Sequence, residues 1–470
     1  MGETYRSGQS VTRLARPKVI ALALATLALL IVTATALAAT GDLTQPAGTA
    51  GCVSEDGTGP CTDGHALTIP ESVAVSPDGK SVYLASNGSS AVVRLNRNTS
   101  TGAISQPAGA AGCVSEFGNG PCADGHALQG LFGVAVSPDG ESVYVASQFS
   151  DAVALFNRNP TTGAISQPPG TAGCVSDEGT GPCANGHALD GASSVAVSAD
   201  GKSVYVASQS SDAVARFNRN MSTGAISQPD GGCISESGAG GCADGHGLNG
   251  ATYVVVSPDG KSVYATSLIS DAVARLNRNA TNGVISQPPG TAGCVSRTGS
   301  GPCADGHALR GPSGVAVSPD GESIYVASAS SDAVARFNRS TSTGAISQPA
   351  GTAGCVSETG AGTCADGRAL DGAGGVAVSP DGKNVYVASA AVTPSDAYNG
   401  ALARLNRSTT TGAISQPAGT AGCVSETGFG LCANGHGLET ALWVAVSADG
   451  GNVYVASAGS SAVARFNRAP

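Results

Sequence analysis

The cysteines of this chain come in seven pairs, always with eight residues between the partners: Cys52 and Cys61, Cys113 and Cys122, Cys174 and Cys183, Cys233 and Cys242, Cys294 and Cys303, Cys355 and Cys364, Cys423 and Cys432. Successive pairs are offset by 61, 61, 59, 61, 61 and 68 residues. Such a period means one supersecondary unit copied seven times, and the copies must stack on one another to bury their apolar faces. With 12% charged residues and 67 glycines in 470, the chain is too apolar for disorder and too rich in helix breakers for helical repeats.

One unit shows the local structure. Residues 314–348, "GVAVSPDGESIYVASASSDAVARFNRSTSTGAISQ", contain four β-prone runs. "GVAVS" and "SIYVAS" flank "SPDG", where proline presets φ and glycine supplies positive φ, so a tight hairpin is expected. "DAVARFN" gives a third strand, and "GAISQ" a fourth after a polar turn. Four antiparallel strands per unit follow. The first strands are apolar on both faces, so each sheet needs a neighbour on either side. Radial stacking of seven such sheets is an all-β, seven-bladed propeller. The ends of the repeat region predict its closure: "TGDLTQ" (40–45) matches the fourth strand, whereas "SAVARFNR" (461–468) stops at the third. The N-terminal strand is therefore expected to complete the last blade and remove the free edges of an open array.

"VAVSPDGKSVYVAS", nearly repeated in every unit, resembles the YVTN-type β-propeller repeat of the lactonase-like seven-bladed propeller superfamily. The resemblance covers the first two strands of each blade closely and the rest at the level of architecture. It implies a propeller fold. It also implies, for some relatives, hydrolysis or isomerisation of sugar lactones by non-repeated His, Arg and Glu side chains near the central channel. Every histidine here (His65, His126, His187, His246, His307 and His436) occupies one repeated slot, so no catalytic residue is carried over.

Residues 1–38 differ from the rest. "RSGQSVTRLARPK" carries four positive charges and precedes 21 uncharged residues ending near "ALA" at 36–38, the pattern of a cleaved export signal. An uncleaved anchor is the competing reading, since 21 apolar residues can span a bilayer. Either way residues 39–470 form one propeller outside the cytoplasm, secreted or in the cell envelope. Membrane contact is expected only if the segment stays uncleaved. These 38 residues hold four bases and one acid, so the net charge moves from −10 to −13 without them. An acidic chain without basic clusters argues against nucleic acid and anionic lipid as partners.

The long connection between units, such as "PPGTAGCVSRTGSGPCADGHALRGPS" (288–313), offers two cysteines, an aspartate and a histidine. Zinc would find enough ligands there, but structural zinc prefers cysteines two to four apart. Export places the thiols in an oxidising compartment. The sixth copy keeps Cys355 and Cys364 but puts Arg368 in the histidine slot. Seven disulfides within loops are therefore expected, with the histidines structural. Calcium on Glu55, Glu116 or Glu358 is a weaker alternative, because Arg297 replaces that acid in the fifth loop. No metal site and no cofactor is predicted.

Function should then sit where the repeats differ. Blade six carries Arg368 and a longer loop between its second and third strands, 390–401, with Asp396, Tyr398 and Asn399. The residue before "VAV" is small in most units, but Tyr253 in one and Trp443, the sole tryptophan, in the last. One position earlier stand Glu71 and Phe132. Blades six, seven, one and two adjoin, so Arg368, Asp396, Tyr398, Trp443, Glu71 and Phe132 are expected to form one arc suited to a sugar or small organic anion. The reading that follows is a monomeric scaffold binding a small ligand, or an extracellular protein or glycan, without catalysis. The alternative is a lactonase-like hydrolase or isomerase with Arg368 on an anion and Glu71 or a histidine as base.

Overall fold

A computed structural model describes residues 40–360, 362–390, 400–428 and 431–470, which are almost wholly strand and turn. The proposed export signal, and with it Asp396, Tyr398 and Asn399, lies outside the described residues. The remainder forms seven sheets, one per repeat. Blade 1 illustrates all of them, with strands Pro70–Val75, Ser81–Ser86, Ala91–Arg97, Ile104–Ser105, Cys113–Glu116 and Ala123–Gly125. The first two pair antiparallel through the expected hairpin. Gly79 takes φ 67°, and Ser76 donates its hydroxyl to Asp78 at 2.6 Å. Each innermost strand packs against those of both neighbouring blades, and the first meets the last, so the sheets stand round one axis.

The expected four strands per blade become six. Ile104–Ser105 pairs with Asn96 and Arg97, and Cys113–Glu116 pairs with Ala91–Val93 on the same third strand. The fourth strand is therefore one strand in two pieces, with a short 3₁₀ turn at Gly109–Ala111 bulging out between them. Beyond it Ala123–Gly125 runs parallel, Val114 opposite Ala123. A parallel return normally needs a dozen residues or more. Here the chain manages it between Glu116 and Ala123, and the Cys113–Cys122 disulfide, with Cα atoms 4.8 Å apart, pins both ends of the return. All seven predicted disulfides form. They fit an oxidising, extracytoplasmic compartment.

Closure follows the expectation and extends it. Leu43 and Thr44 pair with Arg468 and Asn467, and Cys52–Ser54 pairs with Ala462–Ala464 of the same final strand. All three outer strand segments of blade 7 thus come from the N-terminal side of the repeat region. Asp42 adds an ion pair to Arg404 of blade 6.

The core lies between blades. The second strand, Ser81–Ser86, is buried along its whole length. Tyr83, Ala85 and Val92 of blade 1 pack on Val134, Val145 and Phe156 of blade 2. The same interface carries a polar network. Arg158 ends the third strand of blade 2 and reaches back into blade 1. Its Nε donates to the Tyr83 hydroxyl at 2.7 Å, and its Nη2 donates to both Asp78 oxygens at 3.0 and 2.9 Å. Tyr83 in turn donates to the Gly163 carbonyl of blade 2. The arrangement recurs at all seven interfaces, including Arg97 to Asp449 and Tyr454 across the closure. At Asp381 burial alone would raise the pKa. The Ser379 hydroxyl and Arg468 outweigh it and hold the carboxyl at about 2. The aspartate of "SPDG" is therefore a turn residue and half of an interblade ion pair, and only the first role was foreseen.

Candidate functional site

Most recurring polar groups are occupied by the framework. Gln106, at the end of the fourth strand's first piece, accepts from the backbone N–H of His65 at 2.7 Å and donates to its carbonyl at 2.9 Å. That clamp holds each crossing loop, and the Nε2 atoms of His65, His126, His246, His307 and His436 lie buried against glycine without a hydrogen-bond partner among the described residues. A Cβ at Gly173 would lie 3.0 Å from His126 Nε2, and one at Gly354 would lie 2.8 Å from His307 Nε2. The loop acid caps the same turn: Glu116 accepts from the Leu128 N–H at 2.7 Å, and Glu55, Glu236, Glu358 and Glu426 do likewise for their own leucines. The carboxylates weighed as calcium ligands are thus engaged by backbone. Arg297, in the divergent copy, pairs with Asp271 instead.

The residues that break the repeat fall in two places. Arg368 keeps the position of the histidine it replaces. Its N–H bonds Gln416 at 2.8 Å, and its guanidinium bonds the Gly419 carbonyl at 3.3 Å. Gln416 follows the outer strand Ile414–Ser415, so Arg368 sits on the outer part of blade 6. Glu71, Phe132 and Trp443 instead lie on the innermost strands of blades 1, 2 and 7. Glu71, Phe132 and Trp443 thus share the innermost layer of neighbouring blades, whereas the glutamine clamp holds the Arg368 slot further out.

Trp443 has a partner that the sequence reading did not select. Tyr253 of blade 4, at the same place on its strand, stacks on it with ring centroids 4.4 Å apart and planes 12° off parallel. Blades 4 and 7 face each other across the ring, so the pair bridges the central channel. The signal was present: these two are the only large side chains at a position otherwise held by serine and glycine. Those small residues are required there by close approach. A Cβ on Gly375 would come within 2.7 Å of Trp443 Cα, and one on Gly314 within 2.3 Å of the Gly374 carbonyl.

Glu71 completes the group. Burial raises its pKa to about 7. Burial also raises that of Tyr253, and the Glu71 charge adds to the effect, so the two groups feel one another. Three apolar side chains on that face stand where most other repeats have small or polar residues. Phe149 and Ile269, in second-to-third strand loops, are 68% and 65% exposed, and Ile69, just before an innermost strand, is 41% exposed.

The buried carboxyl makes a pH prediction. Native Glu71 holds its proton up to about pH 7, whereas the unfolded chain releases it near 4.5. Stability is therefore fully retained below 4.5 and falls as pH rises to about 7, by at most about 3 kcal/mol. Glu71→Gln is expected to melt like the parent at pH 4.5 and several degrees higher at pH 8, as scanning calorimetry of both proteins will show.

No family model and no curated protein matches the chain. Solved structures do resemble it. The periplasmic gluconolactonase PpgL of Pseudomonas aeruginosa is 16% identical over 80% of this chain and 93% of that one, with a TM-score of 0.50. A Bacteroides uniformis protein described as a candidate 6-phosphogluconolactonase is 19% identical over 74% and 83% of the two chains, TM-score 0.49. The hydrazine synthase of Kuenenia stuttgartiensis is 16% identical over 86% and 96%, TM-score 0.48. At these identities the likeness is one of fold: the chain is a seven-bladed β-propeller with lactonase-like propellers among its structural neighbours.

Proposed function

We propose that the chain is an exported, disulfide-braced scaffold that binds a small ligand or an extracellular partner at the mouth of its central channel, without catalysis. One observation carries the reading. The recurring arginines, aspartates, glutamines and loop acids hold loops and blades together, and what departs from the repeat on the axis includes a stacked aromatic pair and a single carboxylate. That is a recognition surface. A hydrolase also needs donors aimed where negative charge develops.

The second reading, a lactonase-like hydrolase, draws on Glu71, whose raised pKa suits a general base. Against it, Arg368 bonds the Gly419 carbonyl on the outer part of blade 6, away from the innermost strands. The test is to assay the purified protein on gluconolactone and 6-phosphogluconolactone. Hydrolysis at the buffer rate is expected for both the parent and Glu71→Gln. Turnover by the parent that Glu71→Gln abolishes, with its fold intact, would establish the hydrolase instead.

A further inference from the structure

We infer that the channel mouth is a receptor for a small organic ammonium ion, bound at the Glu71 carboxylate beside the stacked rings of Tyr253 and Trp443. This rests on the binding reading above and names its ligand class.

Charge comes first. The seven innermost strands read PESVAV, LFGVAV, ASSVAV, ATYVVV, PSGVAV, AGGVAV and ALWVAV, and Glu71 is the one ionisable acid or base with a full charge among them. No lysine or arginine on these strands offers an anion a partner. The chain's net charge of −10 adds a field that draws cations toward such a mouth.

Glu71 itself makes no hydrogen bond or ion pair with any described residue. Other acids of the framework behave differently: buried Glu116 is capped by a backbone N–H, and the partly exposed Asp78 is paired with Arg158. A carboxylate withdrawn from water without a partner is costly, and a bound cation removes that cost. Beside it the stacked rings cover each other's inner faces but stay partly exposed, and their outward faces carry the negative π density that attracts an ammonium group, more strongly as water is excluded. An anion would meet repulsion from both groups.

Few neighbours compete with Glu71 in titration. The strands packed on Pro70–Val75 are Ser81–Ser86, Leu131–Val136, Ala441–Val446 and Asn452–Ser457. Their titratable groups are Tyr83 and Tyr454, both raised by burial and both bonded to arginines at interblade locks. Tyr253, from across the channel, is raised too. All three stay neutral between pH 5 and 8, so among these strands Glu71 alone changes charge there.

Trp443 is the chain's one tryptophan, so its emission reports this site without background. The purified protein is titrated at pH 6 and pH 8 with choline, with 3,3-dimethylbutan-1-ol as its neutral isostere, and with gluconate. Choline is expected to perturb Trp443 emission and to bind about tenfold tighter at pH 8, because a group titrating near 7 becomes about tenfold more ionised over that interval. The isostere and gluconate should bind at least about tenfold more weakly than choline at pH 8. Glu71→Gln should remove the pH dependence, and calorimetry on Trp443→Leu should show weakened binding at both pH values. An isostere that binds as well as choline overturns the cation claim while leaving a binding mouth. Preference for gluconate, or no response to choline, also overturns it, and lactone turnover in the same preparation would overturn the binding reading as well.

Discussion

Arg158→Ala will cost about 3–5 kcal/mol of folding stability, one of the two largest effects expected from changes to this chain. The guanidinium is 1% exposed and the Asp78 side chain 28% exposed. Removing the cation leaves a carboxylate and the Tyr83 hydroxyl at the blade interface without their partner. The loss is mainly that of an orphaned charge, so the double variant Arg158→Met with Asp78→Asn should recover much of it. The pH dependence has a definite sign. The side-chain bonds and the Arg158 charge outweigh burial and lower the Asp78 pKa, so the pair's contribution is present above the ordinary aspartate value. It is lost as pH falls through the lowered one. The gap between parent and Arg158→Ala should therefore narrow in acid, which denaturant melts at pH 7 and pH 3 will check. The same substitution at Arg219 or Arg339 should give a similar loss, because the network is copied there.

What the sequence made legible, and what it hid, divides by range. The hairpins, the disulfides and the split of the last blade rest on local turn chemistry or on counting repeats, and each stands as expected. The interblade ion pair stayed hidden because its halves lie 80 positions apart, more than one repeat. The arginine ending every "FNR" or "LNR" was its trace, since a cation recurring at the end of an apolar strand needs a buried partner. The fourth strand was misjudged for a related reason. "CVSE" was read as part of a crossing loop, although its alternation continues the strand that "AIS" begins, on the far side of a seven-residue bulge at 106–112.

At the candidate site, sequence picked out Trp443, Glu71 and Phe132 as departures from the pattern. It could not show that Trp443 meets Tyr253, because that contact exists only through the curvature of a closed ring. Arg368 misled in the opposite direction. It was selected for its charge, and its slot, clamped by Gln416, lies on the outer part of blade 6.

Every position at the channel mouth depends on the ring being closed by residues that precede the first complete blade. Deleting residues 40–64 removes three strand segments from blade 7, the Cys52–Cys61 bridge and the Arg404–Asp42 pair. A lost bridge costs about 2–3 kcal/mol and a broken buried pair about 3–5, so the total should exceed about 5 kcal/mol. The deciding measurement is thermal unfolding of this deletion followed at Trp443. A closed ring predicts that the parent's single transition becomes broad and early, and that native emission shifts to the red as Tyr253, on the opposite blade, ceases to cover the indole. A deletion that melts with the parent's midpoint and keeps its emission would contradict the closure, and with it the placement of Glu71, Tyr253 and Trp443 at one site.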